Sequence, residues 1–119
     1  MSRRRAKNNE LSTIFWRDIP AQVTARSGGQ THKALLPPRF QTAIDRAATV
    51  AGLTETSAYV AQWRRQSEPL DPQADGDRVA RTAAEQLEAS YDVVRLEALV
   101  ATGGLDSGQS QTMTTQPTR

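Results

Sequence analysis

Two short apolar runs separated by only two residues constrain this chain most: Leu11 to Trp16, rich in β-branched and aromatic residues, and Ile19 to Arg26, in which Ile19, Ala21, Val23 and Ala25 alternate with Pro20, Gln22, Thr24 and Arg26. Period-two alternation reads as a half-buried strand, and strands that close together in sequence pair antiparallel. The pair is expected to form a β-hairpin with Arg17-Asp18 at or near its turn. Pro20 cannot donate a ladder hydrogen bond, which predicts an exposed edge on the second strand at that point. Ser27-Gly28-Gly29-Gln30 then supplies turn chemistry.

From Pro38 the period changes. Phe40, Ala43, Ile44, Ala47, Val50 and Ala51 fall on one helical face, with Pro37-Pro38 to start the helix and Gly52 to stop it. A second helix, capped by Thr54 or Thr56, is predicted to carry Tyr59, Val60 and Trp63, with residues 66–71 as a connector. A third and longest helix is read from the stripe Val79, Ala80, Ala83, Ala84, Leu87, Tyr91, Val94 and Ala98, ending at Gly103-Gly104. About 25 residues of helix span ~37 Å, more than the other elements can cover. Either the helix packs across two layers or part of its stripe faces a partner.

The expected architecture is therefore α+β: a two-stranded antiparallel hairpin packed against three α-helices, the last one long. Residues 11–103 form one domain, flanked by a disordered basic arm at 1–10 and a disordered polar tail at 104–119. At 119 residues the chain has material for a single domain. No run approaches the ~18 apolar residues of a membrane helix, no export signal is visible, and the absence of cysteine suits a reducing cytoplasm.

The net charge of +2 invites a nucleic-acid reading, so its location matters. Arg3, Arg4, Arg5 and Lys7 against Glu10 give +3 in the first ten residues, whereas residues 11–102 balance to −1. The four cations of the arm are candidates for weak, non-specific phosphate contact, and otherwise form a solvated terminus.

Catalytic and metal chemistry finds little support. His32 is the single histidine and has no carboxylate pair beside it to complete a ligand set. There is no phosphate loop and no G-x-S-x-G elbow. Glu85, Glu88, Asp92 and Glu97 are interleaved with Arg81 and Arg95, as on an ordinary solvated helix face. No cofactor is expected, and the chain reads as a non-enzyme.

Trp and Arg dominate the energetic centres of interfaces. Trp16, Arg17, Asp18, Pro20, Gln22 and Trp63, with Arg39 and Arg46 at a rim, are thus candidates for contact with a protein partner. The other reading is structural: both indoles fill the core and Arg17-Asp18 shapes the turn.

Phe15-Trp16-Arg17-Asp18-Ile19-Pro20-Ala21-Gln22-Val23, Leu36-Pro37-Pro38-Arg39-Phe40-Gln41, Ala43-Ile44-Asp45-Arg46-Ala47-Ala48, Tyr59, Trp63-Arg64 and the closing Leu96-Glu97-Ala98-Leu99-Val100-Ala101-Thr102-Gly103-Gly104 together resemble the small bacterial virulence-factor domain family. The same domain occurs within proteins called conserved virulence factor C. The resemblance covers about residues 11–103 and implies a compact α+β domain with a cytoplasmic accessory role. The family name records a phenotype, and the resemblance carries no catalytic residues with it. A second resemblance is to ribbon-helix-helix repressors, through Leu36-Pro37-Pro38 and Asp45-x-Ala47-Ala48-x-x-x-Gly52-x-Thr54-x-Thr56. It implies a dimeric DNA-binding regulator, for which residues 30–35 could supply the strand.

Overall fold

The structure is a computed structural model and describes residues 9–106. The order is β1 (Glu10–Trp16), β2 (Ile19–Ser27), β3 (Gln30–Leu35), α1 (Pro38–Ala51), α2 (Thr56–Val60), β4 (Trp63–Pro69), α3 (Gly76–Ser90) and α4 (Val93–Ala101). The strands form one antiparallel sheet in the order β3-β2-β1-β4.

The two-stranded, three-helix expectation is corrected in three places. Gln30–Leu35 is a third strand, hydrogen-bonded to β2 across Gly28-Gly29, with only His32 and Ala34 less exposed than their neighbours. Trp63–Pro69 is a fourth strand where a helix end and a connector were expected. Its residues 64–69 are all exposed, so no period-two signal exists to announce it. The backbone ladder to β1, from Trp16 opposite Trp63 to Glu10 opposite Pro69, is what holds it.

The long helix is the third correction. It breaks at Tyr91-Asp92 into α3 and α4, and Asp92 caps the second piece by accepting the Arg95 amide at 2.9 Å. The break lets one stripe face two layers: α3 lies on β2 and β3, while α4 lies on α1. This removes the excess length that a continuous helix would have left uncovered.

The helix over residues 38–51 forms where its spacing predicts, except that Val50, read onto its apolar face, is exposed. Phe40, Ala43, Ile44, Ala47 and Ala48 are buried, Pro38 occupies the first turn, and Gly52 closes the end in the left-handed region at φ 73°. The core also takes Trp16, Ile19, Val23, Ala25, Leu96, Leu99 and Val100.

Strict alternation would put Leu11 and Trp16 on opposite faces of the sheet. Both nevertheless pack into the core, and the β1–β2 register shifts between Ile14 and Phe15, with Ala21 as the extra residue on β2. Pro20 sits beside this irregularity, opposite Phe15, and β3 ends opposite Gln22, so no strand demands a hydrogen bond from Pro20 on that side. Pro20 is fully buried, however, so the lack of a ladder partner there does not make an exposed edge.

The expected disordered arm and tail fall largely outside the described residues. Where the two overlap the described residues, Glu10 belongs to β1 and Gly104 packs against Trp16.

Candidate functional site

Residues 17 and 18 make a two-residue turn between the paired Trp16 and Ile19. Arg17 adopts φ 55°, the only non-glycine among the described residues with a positive φ. That conformation disfavours a residue with a Cβ and must be held from outside. Four hydrogen bonds hold it. The Arg17 amide donates to the Gln62 carbonyl at 3.1 Å, its Nε to Gln62 Oε1 at 3.1 Å and its Nη1 to the Gly103 carbonyl at 3.1 Å. Its own carbonyl accepts from Arg64 Nε at 2.8 Å.

Asp18 continues the network. Its amide donates to the Gly104 carbonyl at 2.8 Å, its Oδ1 accepts from Arg64 Nη2 at 3.1 Å, and its Oδ2 accepts the Asp106 amide at 2.7 Å. Beneath the turn, Trp16 has no exposed surface; its Nε1 donates to the Tyr59 carbonyl at 2.8 Å and its ring stacks on Tyr59 at 5.5 Å. Trp63 meets Tyr59 edge-on at 6.0 Å, and Arg64 lies 4.3 Å above the Phe15 ring. One corner thus ties together the β1–β2 turn, the start of β4 and the end of α4. Tyr91 lies near it, its phenol pushed up from the ordinary range by burial, with the charges of Asp18 and Asp106 adding and Arg95 opposing.

Arg39 and Arg46 are elsewhere, on α1. With Thr42, Ala43, Val93, Leu96 and Glu97 they line a groove of about 240 Å³ between α1 and α4. Arg46 makes a bidentate pair with Glu97 at 2.6 and 3.1 Å. That hydrogen-bonded pairing lowers the Glu97 carboxyl and raises the Arg46 guanidinium from their ordinary values. Arg39 donates Nη2 to the Glu88 carbonyl at 3.2 Å and lies 5.0 Å from the Phe40 ring, while its buried Nε has no hydrogen-bond partner among the described residues. Val93 and Val94 begin α4 at 61% and 77% exposure, an apolar lip beside the groove.

The sequence-predicted residues therefore divide into three groups. Trp16, Arg17, Asp18 and Trp63 meet at the corner, with Pro20 buried nearby. Arg39 and Arg46 share the groove, and Gln22 stands on the opposite face of the sheet, between Ile14 and Leu35. Arg3, Arg4, Arg5 and Lys7 lie outside the described residues. Sequence reasoning missed Gln62, Arg64 and Gly103-Gly104 as partners of the turn, and Val93, Leu96 and Glu97 as the far wall of the groove. The doubled glycine was the available signal, since Gly104 at φ 94° approaches Trp16 closely.

Among the described residues no group of three or more His, Cys, Asp or Glu is placed to hold a metal ion, and no helix is long and apolar enough to cross a membrane. Residues 30–35, which a ribbon-helix-helix dimer would pair across its axis, are bonded to β2, and the segment after α1 is the five-residue α2. A family model described as "Virulence factor" matches residues 14–100, a span that includes the turn and both walls of the groove. No curated protein and no solved structure matches the chain.

Proposed function

The chain belongs to the virulence-factor domain family, and from that premise we propose that it is a non-enzymatic cytoplasmic accessory protein that binds a protein partner on the helix surface between α1 and α4. The observation that carries the reading is the groove itself. Its floor is apolar, from Ala43 and Leu96, its lip is the exposed Val93, and its rim carries Arg39 and the Arg46–Glu97 pair. Apolar centre with charged rim is the usual anatomy of a protein contact.

The Arg17-Asp18 turn then has a supporting role. Its polar groups are engaged within the chain, so it fixes the end of α4, and with it one wall of the groove, against the sheet. An apolar side chain of the partner would enter between Ala43 and Leu96.

A photo-crosslinking residue at Thr42 in the full chain, expressed in its native host, tests this. A single protein should cross-link from Thr42 and be lost in the Val93→Asp variant. Equal cross-linking from Glu85, on the exposed side of α3, would refute the groove as the contact.

A further inference from the structure

β4 ends the sheet, and the hydrogen bonds that flank it fix which of its backbone groups are left over. At one end of the ladder the Leu70 amide donates to the Asn9 carbonyl at 3.0 Å, and at the other the Arg17 amide donates to the Gln62 carbonyl at 3.1 Å. Antiparallel pairs alternate between hydrogen-bonded and non-bonded. Both bonds fall on even-numbered residues of the β4 side, so residues 64, 66 and 68 bond to β1, while Trp63, Arg65, Ser67 and Pro69 turn their backbone outward. None of these outward groups has a hydrogen-bond partner among the described residues.

The edge is open. Residues 64–69 are all exposed, and β1 is the element that β4 packs against. Edge strands are commonly blunted by proline and by charge, but Pro69 removes a donor only at the last residue, and Arg64, Arg65 and Glu68 carry both signs.

The order of those charges selects an occupant. Two copies of β4 can pair antiparallel about a twofold axis only where outward residues meet outward residues, which puts the axis through a residue. An axis at residue 64, 65 or 68 sets Arg64, Arg65 or Glu68 against itself, and one at Ser67 pairs no opposite charges. With the axis at Gln66, Arg64 of each copy stands opposite Glu68 of the other, Arg65 opposite Ser67, and Trp63 opposite Pro69, so the whole strand is used. Glu68 makes no ion pair or hydrogen bond among the described residues, and the Arg64 side chain, though bonded to Asp18, is 44% exposed. Residues 64 and 68 would form a non-bonded pair, the kind in which side chains lie closer. One like-charge approach opposes this register: Arg65 lies diagonal to its own copy at about 7–8 Å, where both are solvated.

The other edge offers no such match. The Leu36 amide, bonded to the Ala21 carbonyl at 3.2 Å, sets the alternation that turns Lys33 outward in β3, and that strand has no carboxylate to place against it.

We propose that β4 pairs antiparallel with β4 of a second copy of this chain about an axis at Gln66, joining the two sheets into one. Each Arg65 exchanges both backbone hydrogen bonds with the Ser67 that faces it, and each Trp63 amide donates to the facing Pro69 carbonyl. An interface of one strand pair makes a weak, concentration-dependent dimer. No residue lining the α1–α4 groove takes part, so the contact stands independently of the partner proposed there.

Sedimentation velocity of the full chain between about 10 μM and about 1 mM tests the proposal. Dimer should build up with concentration and stop there, since a twofold contact closes on itself. Ser67→Pro removes an outward amide without touching the bonds to β1, and should move half-dimerisation to about tenfold higher concentration or more. Ser67→Ala loses the same hydroxyl bond to Ser12 but keeps the amide, and should associate as the parent does. Glu68→Arg sets like charges opposite one another and should weaken the dimer as well. The chain has no cysteine, so single-cysteine variants report the register: Gln66→Cys, on the axis, should oxidise to a covalent dimer far faster than Ser67→Cys. That comparison decides the matter if Ser67→Pro does not fold. A chain that stays monomeric at the highest concentration, a Ser67→Pro variant that associates like the parent, or faster oxidation of Ser67→Cys than of Gln66→Cys would overturn the proposal. So would assembly beyond the dimer, or a monomer that captures strand peptides in place of its own copy.

Discussion

The Asp18 carboxylate and the Arg64 guanidinium, from the β1–β2 turn and from β4, meet at 3.1 Å between Oδ1 and Nη2. As an ion pair this is partly exposed and contributes little. The second oxygen matters more, because Oδ2 accepts the Asp106 amide at 2.7 Å and so fastens the chain beyond α4 to the turn. Asp18→Ala is expected to destabilise by about 1–2 kcal/mol, and Asp18→Asn by less, since its amide oxygen can still accept one bond. Urea denaturation measures both, and equal losses would mean that charge and not hydrogen bonding holds the junction.

Arg17 separates backbone strain from side-chain bonding. Replacing it by alanine removes the side-chain bonds to Gln62 and Gly103 but keeps a Cβ at φ 55°. Replacing it by glycine removes the same bonds and relieves the left-handed cost of about 1–2 kcal/mol. Arg17→Gly should therefore unfold at higher urea than Arg17→Ala, the reverse of the order expected at an ordinary strand position. Calorimetry of the two variants gives the sign directly.

Gly104 and Gly52 make a matched comparison. Both have positive φ, but a Cβ at Gly52 would meet nothing within 4 Å, whereas one at Gly104 would lie 3.0 Å from Trp16 Cζ3 and 3.3 Å from Arg17 Cβ. Gly52→Ala should cost about 1 kcal/mol from backbone strain alone. Gly104→Ala adds a clash with a fully buried indole, for a total of about 2–4 kcal/mol. Similar melting temperatures for the two would show that the corner yields easily.

Legibility of the fold followed the strength of local signals. The hairpin at residues 11–26 and the helix at 38–51 were readable because each buries a face of its own, and burial writes a period into the sequence. β4 was not, because Arg64-Arg65-Gln66-Ser67-Glu68 is exposed throughout and is a strand only by its ladder to β1. The α3–α4 break was hidden by a stripe that continues across it. Its one local sign was Asp92, a good N-cap that also fitted a charged helix face. The corner was half legible: Trp16, Arg17 and Asp18 stood out by type, while their partners lie 43 to 88 residues further on, beyond any local pattern.

The two tryptophans should respond unequally. Trp16 is fully buried and hydrogen-bonded to the Tyr59 carbonyl, which also accepts the Gln62 amide, so Trp16→Phe leaves a cavity and removes one of the two bonds to that carbonyl. A loss of about 2–4 kcal/mol is expected. Trp63 is half-buried with no side-chain hydrogen bond among the described residues, and Trp63→Phe should cost about 1 kcal/mol. The emission of the remaining indole distinguishes them as well: Trp16 alone should emit further to the blue than Trp63 alone.

The Arg46–Glu97 pair sets a pH and salt dependence with a definite sign. Hydrogen bonding to Arg46 lowers the Glu97 carboxyl in the folded protein relative to the unfolded chain. The folded state therefore holds fewer protons there, and the stabilisation is complete above the ordinary carboxylate range and is lost as pH falls through the lowered folded value. Both side chains are half exposed, so added salt should screen the pair at neutral pH. A double-mutant cycle with Arg46→Ala and Glu97→Ala, run at neutral and acid pH, should give a coupling at low salt that vanishes in acid and shrinks at high salt. A coupling that survives acidification would show that the two side chains interact by packing along the groove rim and not by charge.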